Sequence, residues 1–104
     1  MILKPTLKIS MAFKIIVTTP AQVDIANSID YYESRQQNLG GRFYDDFIIN
    51  TNYLISNPYL FPKSGNFHEL KLTIFPYIIV YEIINYTVII HAVFNTSKNP
   101  VKKP

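Results

Sequence analysis

From Phe13 to Thr18 the chain reads Phe-Lys-Ile-Ile-Val-Thr, a short apolar and β-branched run with the composition of a strand. The period then changes. Ala21, Ile25, Ile29 and Tyr32 recur at i, i+4, i+8 and i+11, one face of a helix that the pattern carries to about Gln37. Thr19 as cap, Pro20 at the first helical position and Gln22 at the capping-box position mark its start. Asn38-Leu39-Gly40-Gly41 interrupts the pattern. A second helix is expected from about Arg42 to Ser56, where Phe43, Phe47, Ile48, Leu54 and Ile55 make a wide apolar stripe, with Asn57-Pro58 just beyond it. So short a connection makes the two helices antiparallel neighbours, a helical hairpin.

After a loop from Pro58 to Asn66 the period falls to two. Leu70, Leu72 and Ile74 alternate with Glu69, Lys71 and Thr73, and Phe75 to Ile83 is apolar on both faces, as a central strand would be. Asn85-Tyr86 makes a turn and Thr87 to Asn95 a last strand. The expected fold is α+β: an N-terminal strand, an antiparallel helical hairpin, then a three-stranded antiparallel meander (β-α-α-β-β-β), with the helices on one face of a small, mostly antiparallel sheet. Residues 1–12 contain Pro5, show no periodicity and read as an irregular extension in which Met11 is an alternative start. Residues 13–100 form the domain and 101–104 a basic tail.

Composition adds one point to this picture. Hydrophobic residues make up 48% of the chain and charged ones 16%, against about a quarter charged in ordinary domains. Eight Tyr and seven Phe supply much of the difference. Such a chain either packs an aromatic core or leaves apolar surface for a partner. Its longest central apolar run, Tyr77 to Tyr81, falls far short of the roughly 20 residues of a membrane span. Lys4, Lys8 and Lys14 break up the N-terminal apolar residues, so the cytoplasm is the expected compartment and no membrane partner is expected. The charge is uneven: Lys4, Lys8 and Lys14 at one end and Lys98, Lys102 and Lys103 at the other stand without acids, while residues 15–82 carry four basic residues against seven acids.

Candidate chemistry is sparse. The absence of Cys excludes disulfides, thiolate catalysis and Cys-based zinc sites, and three Gly cannot build a phosphate loop. With two distant His, neither a metal nor a cofactor is expected. Asp45-Asp46 reads as a solvated helix face. His91, in phase with Ile89 and Val93, reads as a core residue bonded to backbone, whereas His68 stands at a loop–strand junction, where functional side chains often sit. Asn95-Thr96-Ser97-Lys98 is open to two readings. One is a strand exit with local side-chain bonds; the other is an anion-facing rim with Lys98 as the charge and Asn95 and Ser97 as contacts.

Six pieces of the sequence, in order, resemble the RelE/ParE toxin superfamily, its ParE-like branch in particular. They are Thr19-Pro20-Ala21 with Asp24-Ile25; Ile29-Asp30-Tyr31-Tyr32-Glu33; Leu39-Gly40 with Arg42-Phe43; Asn57-Pro58; Phe75-Pro76-Tyr77 with Ile79 and Tyr81; and Ala92 to Pro100. The resemblance implies the toxin of a type II toxin–antitoxin pair, a helical hairpin on a small sheet, and a small antitoxin partner that wraps and masks it. ParE-like members are understood to poison DNA gyrase; RelE-like members cleave messenger RNA on the ribosome. Where many relatives have His and Arg in the closing segment, this chain has Asn95 and Lys98, and where relatives often have Arg before the central strand it has His68 or Lys71. Its two Arg, Arg35 and Arg42, fall in the hairpin. That is thin equipment for steadying a scissile phosphate. The expectation is therefore a toxin that acts by binding gyrase, with a ribonuclease or an inactive antitoxin-binding relative as the alternatives. Lys71, Asn95, Ser97, Lys98, Lys102 and Lys103 are its target contacts, and only the ribonuclease reading makes His68, Lys71 and Lys98 catalytic. Ile25, Ile29, Tyr32, Phe43 and Phe47 are the expected antitoxin surface, partly exposed in the free chain and able to pair two copies when the antitoxin is absent.

Overall fold

A computed structural model describes residues 13–97. The N-terminal extension with Met11, the basic tail and Lys98, Lys102 and Lys103 lie outside the described residues. Strand β1 (Lys14–Val17) leads into helices α1 (Thr19–Arg35) and α2 (Leu39–Ser56). A short turn of 3-10 helix (Pro58–Leu60) is followed by strands β2 (Lys63–Ser64), β3 (Phe67–Lys71), β4 (Tyr77–Ile84) and β5 (Thr87–Asn95). The sheet has five strands in the order β1-β5-β4-β3-β2. The meander β3-β4-β5 is antiparallel as expected. β1 lies parallel to β5 at the edge, Ile15 beside Val88 and Val17 beside Ile90, so the sheet is mixed.

Local chemistry moved several boundaries. The cap of α1 is Thr18, one residue earlier than expected: its hydroxyl accepts from the Ala21 N–H at 3.3 Å, while Gln22 reaches back to the Val17 carbonyl at 2.9 Å. β1 stops where α1 begins, which leaves the β5 edge beyond Ile90 without a strand neighbour. Side chains of α1 take over. The Thr18 hydroxyl donates to the His91 carbonyl (3.4 Å), and the Asp24 carboxylate accepts the Val93 N–H (3.0 Å). His91 itself is the extra residue of a β-bulge, since Ala92 pairs with Val80 and Ile90 with Tyr81.

The second helix starts at Leu39, so Gly40 and Gly41 form its first turn instead of breaking the chain. Asn38 sits in the left-handed region (φ 73°) and gives no side-chain cap. Glu33 of α1 supplies one, accepting from the N–H groups of Asn38 (2.9 Å) and Gly40 (3.0 Å), where a carboxylate also opposes the helix dipole. Gly40 is required by that closeness, because a Cβ there would meet the Ile29 carbonyl oxygen at 2.7 Å.

The core fills the space between hairpin and sheet. Phe43, Leu54, Ile79, Tyr81, Val88 and Ile90 are fully enclosed. The alternation expected through Ile74 ends at Lys71; Leu72 to Pro76 is a loop, and Ile74 is exposed. Tyr81 is buried yet polar, and its hydroxyl donates to the Pro58 carbonyl at 2.6 Å. Burial pushes that phenol up to about 12. Burial, then the hydrogen bond and charge of Tyr77, push Tyr32 up to about 12. A raised folded-state value means that the folded chain holds the proton longer than the unfolded one. Stability is then level below the unfolded value of about 10 and falls between about 10 and 12. Tyr81→Phe is expected to flatten part of that alkaline fall while costing about 1 kcal/mol at neutral pH through the lost hydrogen bond. Denaturant unfolding of both forms across that range measures it.

Candidate functional site

Helices α1 and α2 leave a groove where they meet the outer strand. Ile15 and Val17 of β1, Ile25, Ala26 and Ile29 of α1, and Tyr44, Phe47, Ile48 and Thr51 of α2 line about 480 Å³ of open, mostly apolar space. Its origin is geometric. β1 is four residues long and is an edge strand, so it fills only part of the space under the hairpin. Among the described residues the side of its backbone away from β5 carries no ladder, so the groove lies against an edge of the described sheet.

The expected apolar stripe therefore divides. Ile25 and Ile29 are half-buried and line the groove. Phe47 contributes to its lining but is itself only 4% exposed, and Phe43 is wholly enclosed, so neither offers a free outer side; this corrects the expectation for both. The reason is their spacing: i and i+4 on α2 both face the sheet, and the Phe43 ring packs 4.8 Å from Tyr77 and 5.4 Å from Phe75. Tyr32 belongs to that same aromatic cluster, 4.8 Å from Phe75, and not to the groove. Ile15, Val17 and Tyr44 were missed; the alternation Ile15, Val17 in the first strand was the available signal.

His68 and Lys71 are not brought together. They lie three residues apart on β3, so their side chains leave opposite faces: His68 is buried toward the helices and Lys71 is exposed on the open face of the sheet. The His68 Nδ1 bonds the Phe61 carbonyl at 2.9 Å, and its ring stacks on Tyr81 at 5.1 Å. His91 is half-exposed on the open face, its Nε2 2.9 Å from Glu82 Oε1, so its partner is a carboxylate and not the expected backbone. At the exit of β5 the local reading of the polar segment describes the contacts: Asn95 Oδ1 accepts from both the N–H and the hydroxyl of Ser97 at 2.8 Å. Thr96 gives its N–H and hydroxyl to the Pro76 carbonyl. Lys71 and Asn95 lie at one end of the sheet on successive rungs, Lys71 opposite Ile78 and Asn95 opposite Tyr77, so their side chains leave opposite faces. Among the described residues no cluster of His, Asp and Glu is suited to a metal ion, and no helix is long and apolar enough to cross a membrane.

The fold is a small α+β domain with an open, mostly apolar groove beside its edge strand. Residues 15–100 match the family model described as the ParE toxin of the type II toxin–antitoxin system parDE, and the chain belongs to that family. Among solved structures, a chain from the chromosomal ParDE system of P. aeruginosa has a similar fold. Its TM-score is 0.71 at 13% identity, over 82% of this chain and 97% of that one. No curated protein matches the chain.

Proposed function

We propose that this toxin acts in the cytoplasm by binding and poisoning DNA gyrase, and that a small antitoxin neutralises it by occupying the groove at Ile25 and Ile29. The observation that carries the reading is that groove: apolar, open and set against a strand edge that no other described strand pairs. Such an edge takes main-chain hydrogen bonds from an added segment while the groove takes its apolar side chains. In the absence of the antitoxin, the same face pairs two copies.

Binding, not cleavage, fits the arrangement of polar residues. With His68 and Lys71 on opposite faces of β3, the two do not form one site. Lys71, Asn95 and Ser97 at one end of the sheet, together with Lys98, Lys102 and Lys103, serve instead as contacts to the target. With purified components, the toxin is expected to inhibit gyrase supercoiling and to leave messenger RNA on ribosomes uncut; codon-dependent cutting with gyrase untouched would reverse the assignment. Replacing Lys98, Lys102 and Lys103 together by Ala is expected to weaken gyrase inhibition and reduce its salt sensitivity, because contacts between charges in water act through a screened field. The circular dichroism spectrum is expected to stay unchanged.

A further inference from the structure

A second cavity, of about 360 Å³, lies at the other end of β3 and is lined by Tyr59, Phe61, Lys63, Asn66, His68, Glu82 and Ile83. It exists because β4 outruns its neighbour. The last β3–β4 pair is His68 with Tyr81, while β4 runs on to Ile84, so the β2–β3 hairpin and the 3-10 turn close the space from the side. The volume falls in the range of small-molecule sites, about 300–1,000 Å³.

His68 gives this cavity a built acceptor. The residue is 94% buried and fixed by the Phe61 carbonyl, which can only accept, so Nδ1 carries a proton and Nε2 is the ring nitrogen left to meet a ligand, an acceptor in that tautomer. Among the described residues that Nε2 has no hydrogen-bond partner, and no polar side-chain atom is sealed from solvent without one, so it opens onto the cavity. Tyr81 stacked on one side holds the ring in place. Around it stand a carboxylate, Glu82, with one oxygen bonded to His91; a cation, Lys63, exposed and without an ion pair among the described residues; the Asn66 amide; and the Tyr59 ring, 65% exposed.

We propose that this cavity binds a nucleoside monophosphate. Its amino and hydroxyl groups match the two acceptors, His68 Nε2 and the Glu82 carboxylate; its phosphate matches Lys63; and its base stacks on the open ring of Tyr59. An apolar ligand would leave His68 Nε2 unpaired, and a bare anion would meet Glu82. The proposal is independent of the gyrase reading, and its failure leaves that reading untouched.

The test is titration of the purified full chain with adenosine monophosphate, followed by calorimetry and by the ¹⁵N signal of His68 Nε2. Saturable binding with displacement of the His68 signal, and not that of His91, is expected. Lys63→Ala and Tyr59→Ala change exposed residues, preserve the circular dichroism spectrum and are each expected to weaken binding about tenfold. Three results would overturn the proposal: no displacement of His68, binding unchanged in both variants, or inorganic phosphate binding as tightly as the nucleotide, which would mark a simple cation patch.

Discussion

Asp46→Ala is expected to destabilise the domain by on the order of 3 kcal/mol or more, the largest single effect of a polar substitution in this chain. The carboxylate is 1% exposed. Its Oδ2 accepts the N–H groups of Ile74 and Phe75, both at 2.9 Å, and its Oδ1 accepts the Thr73 N–H at 3.3 Å and the Asn50 amide at 3.1 Å. Thr73 and Asn50 also bond each other, so one buried network ties α2 to the loop between β3 and β4. Removing the carboxylate leaves the buried Phe75 N–H without a partner and takes the acceptor from the part-buried Thr73 and Ile74 N–H groups. Such groups cost about 1–3 kcal/mol each, against a total stability of about 5–15 kcal/mol for a domain. Asp46→Asn keeps one acceptor but turns an NH₂ toward donors, and is expected to fall only part of the way back. Asp45→Ala, one residue away and exposed, is expected to stay within about 0.5 kcal/mol. Urea unfolding of the three variants checks the order; equal losses at Asp45 and Asp46 would contradict the network.

That pair also shows where the sequence was readable and where it was not. As adjacent helix residues they project about 100° apart, so one can face water while the other faces the core, and reading them as one solvated unit concealed this. The signal was present: Asp46 and Asn50 keep the spacing of Phe43, Phe47 and Leu54, which places two polar residues inside an apolar stripe. The hairpin, the meander, the Asn85-Tyr86 turn and the limits of β5 were legible because each rests on local period and turn chemistry. Both turn residues do take positive φ, 46° and 61°. The start of α2 was not legible, because its cap comes from Glu33 on another helix. Nor was the face of His68, because a strand face is fixed by register and register by pairing with β4. The groove was half legible: helix periodicity gave Ile25 and Ile29, but the short edge strand that leaves room beside them is a property of the sheet order.

Ile25→Glu and Ile29→Glu are each expected to weaken antitoxin binding at least about a hundredfold while leaving the toxin folded and toxic. Both side chains are half-buried on the groove wall, where in the free chain a carboxylate can still reach water. In the complex proposed here the same carboxylate is covered by an apolar segment with no cation supplied. Burying it unpaired costs several kcal/mol, and every 1.4 kcal/mol is tenfold in affinity. The loss should appear mostly in the dissociation rate. Val23→Glu is the control: it is on the same helix, 50% exposed and outside the groove, and is expected to bind normally. Phe47→Ala is a poor probe, because a residue only 4% exposed carries core packing as well as the groove lining. Two measurements separate the effects: thermal unfolding of each variant alone, and growth of cells expressing toxin with and without antitoxin. Cells carrying Ile25→Glu or Ile29→Glu should stop growing even when the antitoxin is present. Full rescue of both variants by the antitoxin would place its seat elsewhere on the toxin, whereas loss of toxicity with an unchanged melting temperature would mean that the groove itself meets the target.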